Sequence, residues 1–269
     1  MTIAVTHGTP LGAPPRRRAG LRQAVGAEWA KVASLRSTGW ALLATVVGTL
    51  LVCAFSAHSA THHTAGWYQG FDPTNQSMAG LALGSLVIGI LGIMVITGEY
   101  GTGTIRSSLA AMPRRSVLLS AKVIVVGLLA LVVGEVLSFG SYVLGWAVLS
   151  GGGAPTATLG QPGVLRAVIE SGAYLALIAL FGLGIGTIIR HTAGSIAAFV
   201  GATLLLPILL QHGNGSPGRF TPEVIYANSV ASVSPQPGSL SATVGFLLMS
   251  AYTVAAIWLG AVLLERRDA

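Results

Sequence analysis

Charge is what this sequence has least of. Only 9% of its 269 residues are Asp, Glu, Lys or Arg, where a soluble domain carries roughly 25%. Apolar residues reach 52%. One water-facing domain cannot hide that much apolar surface, so an ordinary soluble enzyme is excluded and a multi-span membrane protein is the class that remains. A single cysteine, Cys53, lies inside an apolar run, which rules out an internal disulfide. There are only two lysines, Lys31 and Lys122, and neither follows a glycine. A G-x-x-x-x-G-K-[ST] loop is therefore missing, and with it any P-loop route to ATP hydrolysis by this chain. H-E-x-x-H and G-x-S-x-G are missing too, which removes the common membrane-protease and hydrolase signatures.

The formal charge of +7 would suit a nucleic-acid partner, but the basic residues sit at the ends of apolar segments. No zinc-ligand cluster, RNA-binding sheet signature or basic groove interleaved with aromatics accompanies them, so no nucleic acid is expected. Thirty-six glycines and few aromatics suit close helix contacts in lipid.

A spanning helix needs roughly 20 apolar residues. Six segments qualify: Gly39–Ala57, Met78–Thr97, Val117–Leu149, Ser171–Ile189, Ala193–Leu210 and Ser241–Leu264. The third is overlong, so its first turns are expected at the membrane interface. Arg190, His191 and Thr192 make a tight hairpin between the fourth and fifth, and Pro207 should kink or end the fifth. The fold class is thus an all-α integral membrane protein of six transmembrane helices. Residues 1–20 read as a disordered cytosolic tail, 21–38 as an amphipathic helix, and 39–269 as the transmembrane domain.

With the N-terminus inside, 13 of the 15 cations fall on the cytosolic side, leaving only Arg166 and Arg219 outside. The positive-inside rule therefore predicts N-in and C-in. From Leu21 to Arg36, the residues Leu21, Val25, Trp29 and Val32 recur at helical spacing, with Lys31 and Arg36 among the cations beside them. Such a helix either lies in the membrane interface or packs on protein. Outside, 58–77 is polar, 150–166 is rich in Gly and Pro, and 211–239 is the longest loop, with a short helix expected over 223–233.

The segment Gly98 to Arg115 is the one long polar, basic interruption between apolar runs. Thr102 or Thr104 is suited to cap a helix start. Ile105, Leu109 and Met112 then share one face, and Pro113 stops the helix. Arg106, Arg114 and Arg115 are left for a partner or for lipid head groups, although a positive-inside loop is basic whether or not it binds anything. Glu99 is expected to pair with a cation such as Arg106, to cap the next turn, or to touch a partner. Glu135 falls mid-span, where a carboxylate costs a few kcal/mol and tends to face the bundle interior. Ser138, Ser141 and Tyr142 are placed to solvate it, either on a translocation path or as a packing contact. His58 and His62 are spaced i, i+4; exposed loop histidines are the expectation there, and no metal site. Gly80/Gly84 and Gly182/Gly186 predict tight helix crossings.

These residues together suggest a family. Gly98-Glu99-Tyr100, Gly103-Thr104-Ile105-Arg106 and Pro113-Arg114-Arg115 resemble the loop after the second helix of ABC-2 type transporter permeases. Glu28-Trp29, Lys31 and Leu35-Arg36-Ser37-Thr38 resemble the approach to the first helix in actinobacterial members. The resemblance implies the transmembrane subunit of a type V ABC exporter in a bacterial inner membrane. It implies pairing with a second permease chain as a homodimer, and docking of a cytosolic ATPase subunit that brings ATP and Mg, with no cofactor in this chain. Glu99, Gly103, Thr104, Ile105, Arg106, Leu109, Met112, Arg114 and Arg115 would form the coupling segment. Trp29, Lys31 and Arg36 would belong to the interfacial helix, and Glu135, Ser138 and Tyr142 to the path. A lipophilic or amphipathic cargo (drug, peptide or lipid-like) would pass outward along spans one, two and five. The alternatives are a secondary transporter or channel without an ATPase, and a non-transporting membrane anchor.

Overall fold

The computed structural model describes residues 20–34, 36–112, 114–210, 217–232 and 240–266. The tail expected at 1–20 falls outside them but for Gly20, as do Leu35, Pro113, Arg267 and much of 211–239. Among the described residues every regular element is helical. Six helical stretches among the described residues are long and apolar enough to cross a membrane. They are α2 (Arg36–Ala60), α4 (Leu81–Gly101), α6 (Arg115–Gly151), α7 (Val164–Ile189), the stretch Thr192–Leu210 and α11 (Ala242–Arg266). Each expected span is present, with ends moved by a few residues. Smaller helices fill the joins: α1 (Leu21–Ser34), α3 (Pro73–Ser77), α5 (Thr104–Ala111) and α10 (Pro222–Val230). The last answers the short helix expected over 223–233.

The bundle is organised around α7. Its apolar window is 67% buried, against 22% for α2 and for the fifth span, so α7 is the axis and the other two are peripheral. Glycine makes this possible, because backbones meet where no side chain intervenes. A Cβ on Gly92 of α4 would come within 2.1 Å of the Ala179 carbonyl oxygen, and one on Gly134 of α6 within 2.4 Å of the Gly172 oxygen. The glycine pairs singled out in the sequence serve such crossings. Gly80 and Gly84 lie on Thr49 and Cys53 of α2, and Gly182 lies on the backbone of Gly89.

The fifth span does not end at Pro207. It runs as α8 (Thr192–Val200), a π-helical segment Gly201–Leu205, then α9 (Leu206–Leu210). Proline has no N–H to offer the carbonyl four residues back, and the widened segment stands just before it. The tight hairpin is present: Arg190 takes a left-handed conformation at φ 62°, and the His191 side chain accepts from Gly194 N–H at 3.3 Å.

Polar contacts close the two ends of the bundle. At one end Arg115 Nη1 donates to the Leu264 carbonyl at 2.7 Å, Arg190 Nη2 to that of Leu263 at 2.9 Å, and the Arg190 guanidinium lies over the Tyr100 ring. At the other, Asp72 caps α3 through Thr74 N–H and Asn75 N–H and also accepts from Ser232. Tyr174 donates to the Pro222 carbonyl at 2.7 Å, fixing α10 to α7. The first is called the basic end below.

Candidate functional site

Helix α1 packs along the start of α6, and its protein-facing residues are Ala24 and Glu28. Leu21 and Trp29 point away, at 44% and 52% exposure. Lys31 turns inward with Glu28. The apolar ridge seen in the sequence is therefore split: Val25 joins the protein core, while Leu21 and Trp29 stay open. The physical reason is a stronger demand from the opposite side, where buried charges need partners.

Those charges form one cluster. Lys122 of α6 is 1% exposed. Its Nζ donates to Glu28 Oε2 and to Glu99 Oε1, each at 2.7 Å. Lys31 Nζ donates to Glu28 Oε1 at 2.6 Å, to Glu99 Oε1 at 2.8 Å and to Ser108 Oγ of α5 at 3.1 Å. Both lysines of the chain thus meet two of its eight carboxylates at one point, joining α1, α4, α5 and α6. Burial pulls the Lys31 ammonium down, but the bonds and charges of Glu28 and Glu99 outweigh it and hold the group above its ordinary value. Glu99 Oε2 is buried and has no hydrogen-bond partner among the described residues.

Several expectations change here. Glu99 bonds Lys31 and Lys122, not Arg106. Lys122, counted in the sequence among the cytosolic-side cations, is a buried ion-pair member, and Lys31 is spent on protein instead of lipid. Glu28, read only as part of a helix pattern, is 2% exposed and central. Its signal was present: Glu28 and Lys31 share a helix face at i, i+3, and a lysine at the start of an apolar run needs a carboxylate to be buried.

Helix α5 is short and bounded, as expected. No hydroxyl caps it: Gly103 is its N-cap, at φ 73°. Thr102 Oγ donates instead to the Gly98 carbonyl, and Gly supplies the left-handed turn without strain. Ile105 is 4% and Met112 8% exposed, with Leu109 packed against the same core. The ridge expected to face a partner faces this chain, because an apolar stripe beside a bundle is buried by the nearest apolar surface. Arg106, Thr104 and Ser107 lie on the open side, as does Arg114 just beyond the helix. Arg115 is half-buried and tied to the end of α11, and Arg36 is exposed at the start of α2.

Glu135 is half-buried with its carboxyl group stacked on Gly172 of α7. Two of the three groups expected to solvate it are occupied elsewhere: Ser138 Oγ donates to the Val168 carbonyl at 2.6 Å and Tyr142 Oη to that of Ala157 at 2.7 Å, while Ser141 Oγ is buried without a hydrogen-bond acceptor among the described residues. Helical hydroxyls find main-chain acceptors first. The His58 and His62 Nε2 atoms are 3.2 Å apart and exposed. Among the described residues no group of three or more His, Cys, Asp or Glu is arranged to hold a metal.

Between α1, α2, α4 and α6 lies a cavity of about 830 Å³. The charge cluster and Ser107 and Ser108 border it at the basic end; Leu91, Val95, Leu129 and Val133 line its apolar length. Helices α2 and α4 touch closely at Gly80 and Gly84, and the cavity lies nearer the basic end, beside Ala41 and Leu42 of α2.

A helical bundle with six helices long and apolar enough to span a membrane defines a multi-pass membrane protein. The comparison with known families is specific. The model of the ABC-2 family transporter proteins matches residues 24–210. The chain belongs to this family and is a membrane permease of an ABC transporter. No curated protein matches it.

Proposed function

We propose that this permease is the membrane half of an exporter, driven by a cytosolic ABC ATPase subunit that bears on α5. The observation that carries the reading is the construction of α5. It is a two-turn helix between two spans at the basic end, held to the bundle by its buried face, with Arg106 on its open face. A push on that open face reaches the spans through Ile105, Met112 and the Ser108–Lys31 bond. The positive-inside rule supports both termini in the cytoplasm of a bacterial plasma membrane. Two copies pairing as a homodimer, each with one ATPase subunit holding ATP and Mg, complete the transporter. Of the path candidates, Glu135 is the one whose carboxylate no hydrogen bond or ion pair engages among the described residues, so it keeps that proposed place. A lipophilic or amphipathic cargo, including multidrug-type compounds, suits the apolar walls.

The test is copurification of the ABC ATPase with the full chain from detergent. Arg106→Glu reduces retained ATPase at least tenfold with an unchanged elution profile of the permease. Deletion of 101–112 abolishes retention. Retention of the ATPase by the deletion variant sinks the α5 assignment, and full retention by Arg106→Glu removes that residue from it.

A further inference from the structure

The cavity at the basic end has one apolar and one charged part. Its apolar length is lined by Leu91, Val95, Leu129 and Val133, and its end by Glu99 and Lys122. It is a half-open cleft of about 830 Å³, a size that accommodates a small organic molecule. Two features define the head of such a molecule. The cluster is formally neutral, two carboxylates against two ammonium groups, so an added full charge enters a buried, balanced array uncompensated. Hydrogen bonding is nonetheless incomplete. Glu99 Oε2 accepts nothing, and Lys122 Nζ uses two of its three protons. A neutral group that both donates and accepts, a hydroxyl above all, satisfies both.

We infer that the α1–α2–α4–α6 cavity binds a single-chain amphiphile with an uncharged hydroxyl head, seated on Glu99 and Lys122 with its chain along Leu91 and Val95 of α4 and Leu129 and Val133 of α6. The site lies within one chain, among spans one, two and three, and does not require the second permease copy. It rests on the transport reading only for its role as an intake site; the binding itself stands apart from the ATPase. Because Ser108 of α5 bonds Lys31 of the same cluster, the head of the ligand sits one residue away from the helix proposed to receive the push.

The test uses the full chain in phosphatidylcholine nanodiscs at pH 7, with three probes of one chain length: 1-monooleoylglycerol, oleate and oleylamine. Equilibrium binding is read by radiolabel. Monooleoylglycerol binds at least tenfold tighter than either charged probe. Glu99→Gln, which puts a donor where the acceptor stands and leaves the cluster with one net positive charge, lowers its affinity about tenfold and shifts the head-group preference toward oleate. Leu91→Trp, which fills the apolar length and leaves the cluster intact, abolishes binding. Equal affinity for all three probes, tightest binding of oleylamine, or no saturable binding of any overturns the proposal. Because no ATPase is present, these outcomes are distinct from a failure of the coupling assignment.

Discussion

Removing the Lys122 ammonium is the sharpest perturbation of this molecule. Lys122→Met keeps the length and apolar stem of the side chain and deletes its charge. In the native cluster Nζ sits 2.7 Å from both Glu28 and Glu99, with Lys122 1% exposed and the Glu28 side chain 3%. At an effective dielectric of about 20, each such contact attracts by about 6 kcal/mol before desolvation is subtracted. The net loss is smaller, since the ammonium no longer has to be buried. What remains is a pair of carboxylates sharing one lysine, Lys31, which is itself half-open to water. Breaking a buried pair by removing one partner costs about 3–5 kcal/mol. For a chain of this size that lowers the unfolding midpoint by about 6–20 °C. Thermal unfolding followed by fluorescence-detected size exclusion in one detergent reads the shift. The double variant Lys122→Met/Glu28→Gln separates charge from packing. It leaves Glu99 and Lys31 as a balanced pair, and it recovers at least half of the loss. A Lys122→Met midpoint within about 1 °C of the parent would refute the reasoning, as would a double variant less stable than the single one.

Two further outcomes follow from the packing and from burial at the opposite end. Gly92→Ala places a methyl group against the Ala179 carbonyl at the tightest α4–α7 crossing, and it costs about 1–3 kcal/mol. Gly48→Ala meets nothing within 4 Å and gains up to about 1 kcal/mol, so the two midpoints move in opposite directions. Burial raises the Glu223 carboxyl above its ordinary value of 4.5. A raised folded-state value means stability present below the unfolded value and lost as pH rises through the folded one. The parent midpoint therefore falls relative to Glu223→Gln as pH is raised from 4 through the folded-state value, and parallel pH profiles would remove the effect.

The spans were legible because the solvent that selects them acts on composition alone. About 20 apolar residues is a length any reader can count, and Leu81–Gly101 or Ala242–Arg266 stand out whatever they pack against. The glycine crossings were legible as pairs but not as partners: nothing in Gly80 and Gly84 says that they meet Thr49 and Cys53. The charge cluster was the largest omission. Glu28, Glu99 and Lys122 are separated by 71 and 23 residues, and each taken alone looks like an interface charge. Lys122 shows how the positive-inside rule counts a cation without knowing whether it meets water. The α5 face was misread for the same reason. An apolar stripe of Ile105, Leu109 and Met112 has two possible neighbours, and periodicity does not choose between its own chain and another.

The sequence by itself determined that the chain is an all-helical membrane protein with six spans and a short basic helix after the second. It also determined that no ATP-binding loop lies in it. Hydrophobic length, charge placement and motif absence are local properties, and they need no neighbours to act. Only the tertiary structure decided which charges meet. It placed both lysines between Glu28 and Glu99, turned the α5 ridge inward, and opened a cavity beside them. Burial of a charge depends on partners supplied from distant helices, and those partners are fixed only when glycine contacts set how closely the helices approach.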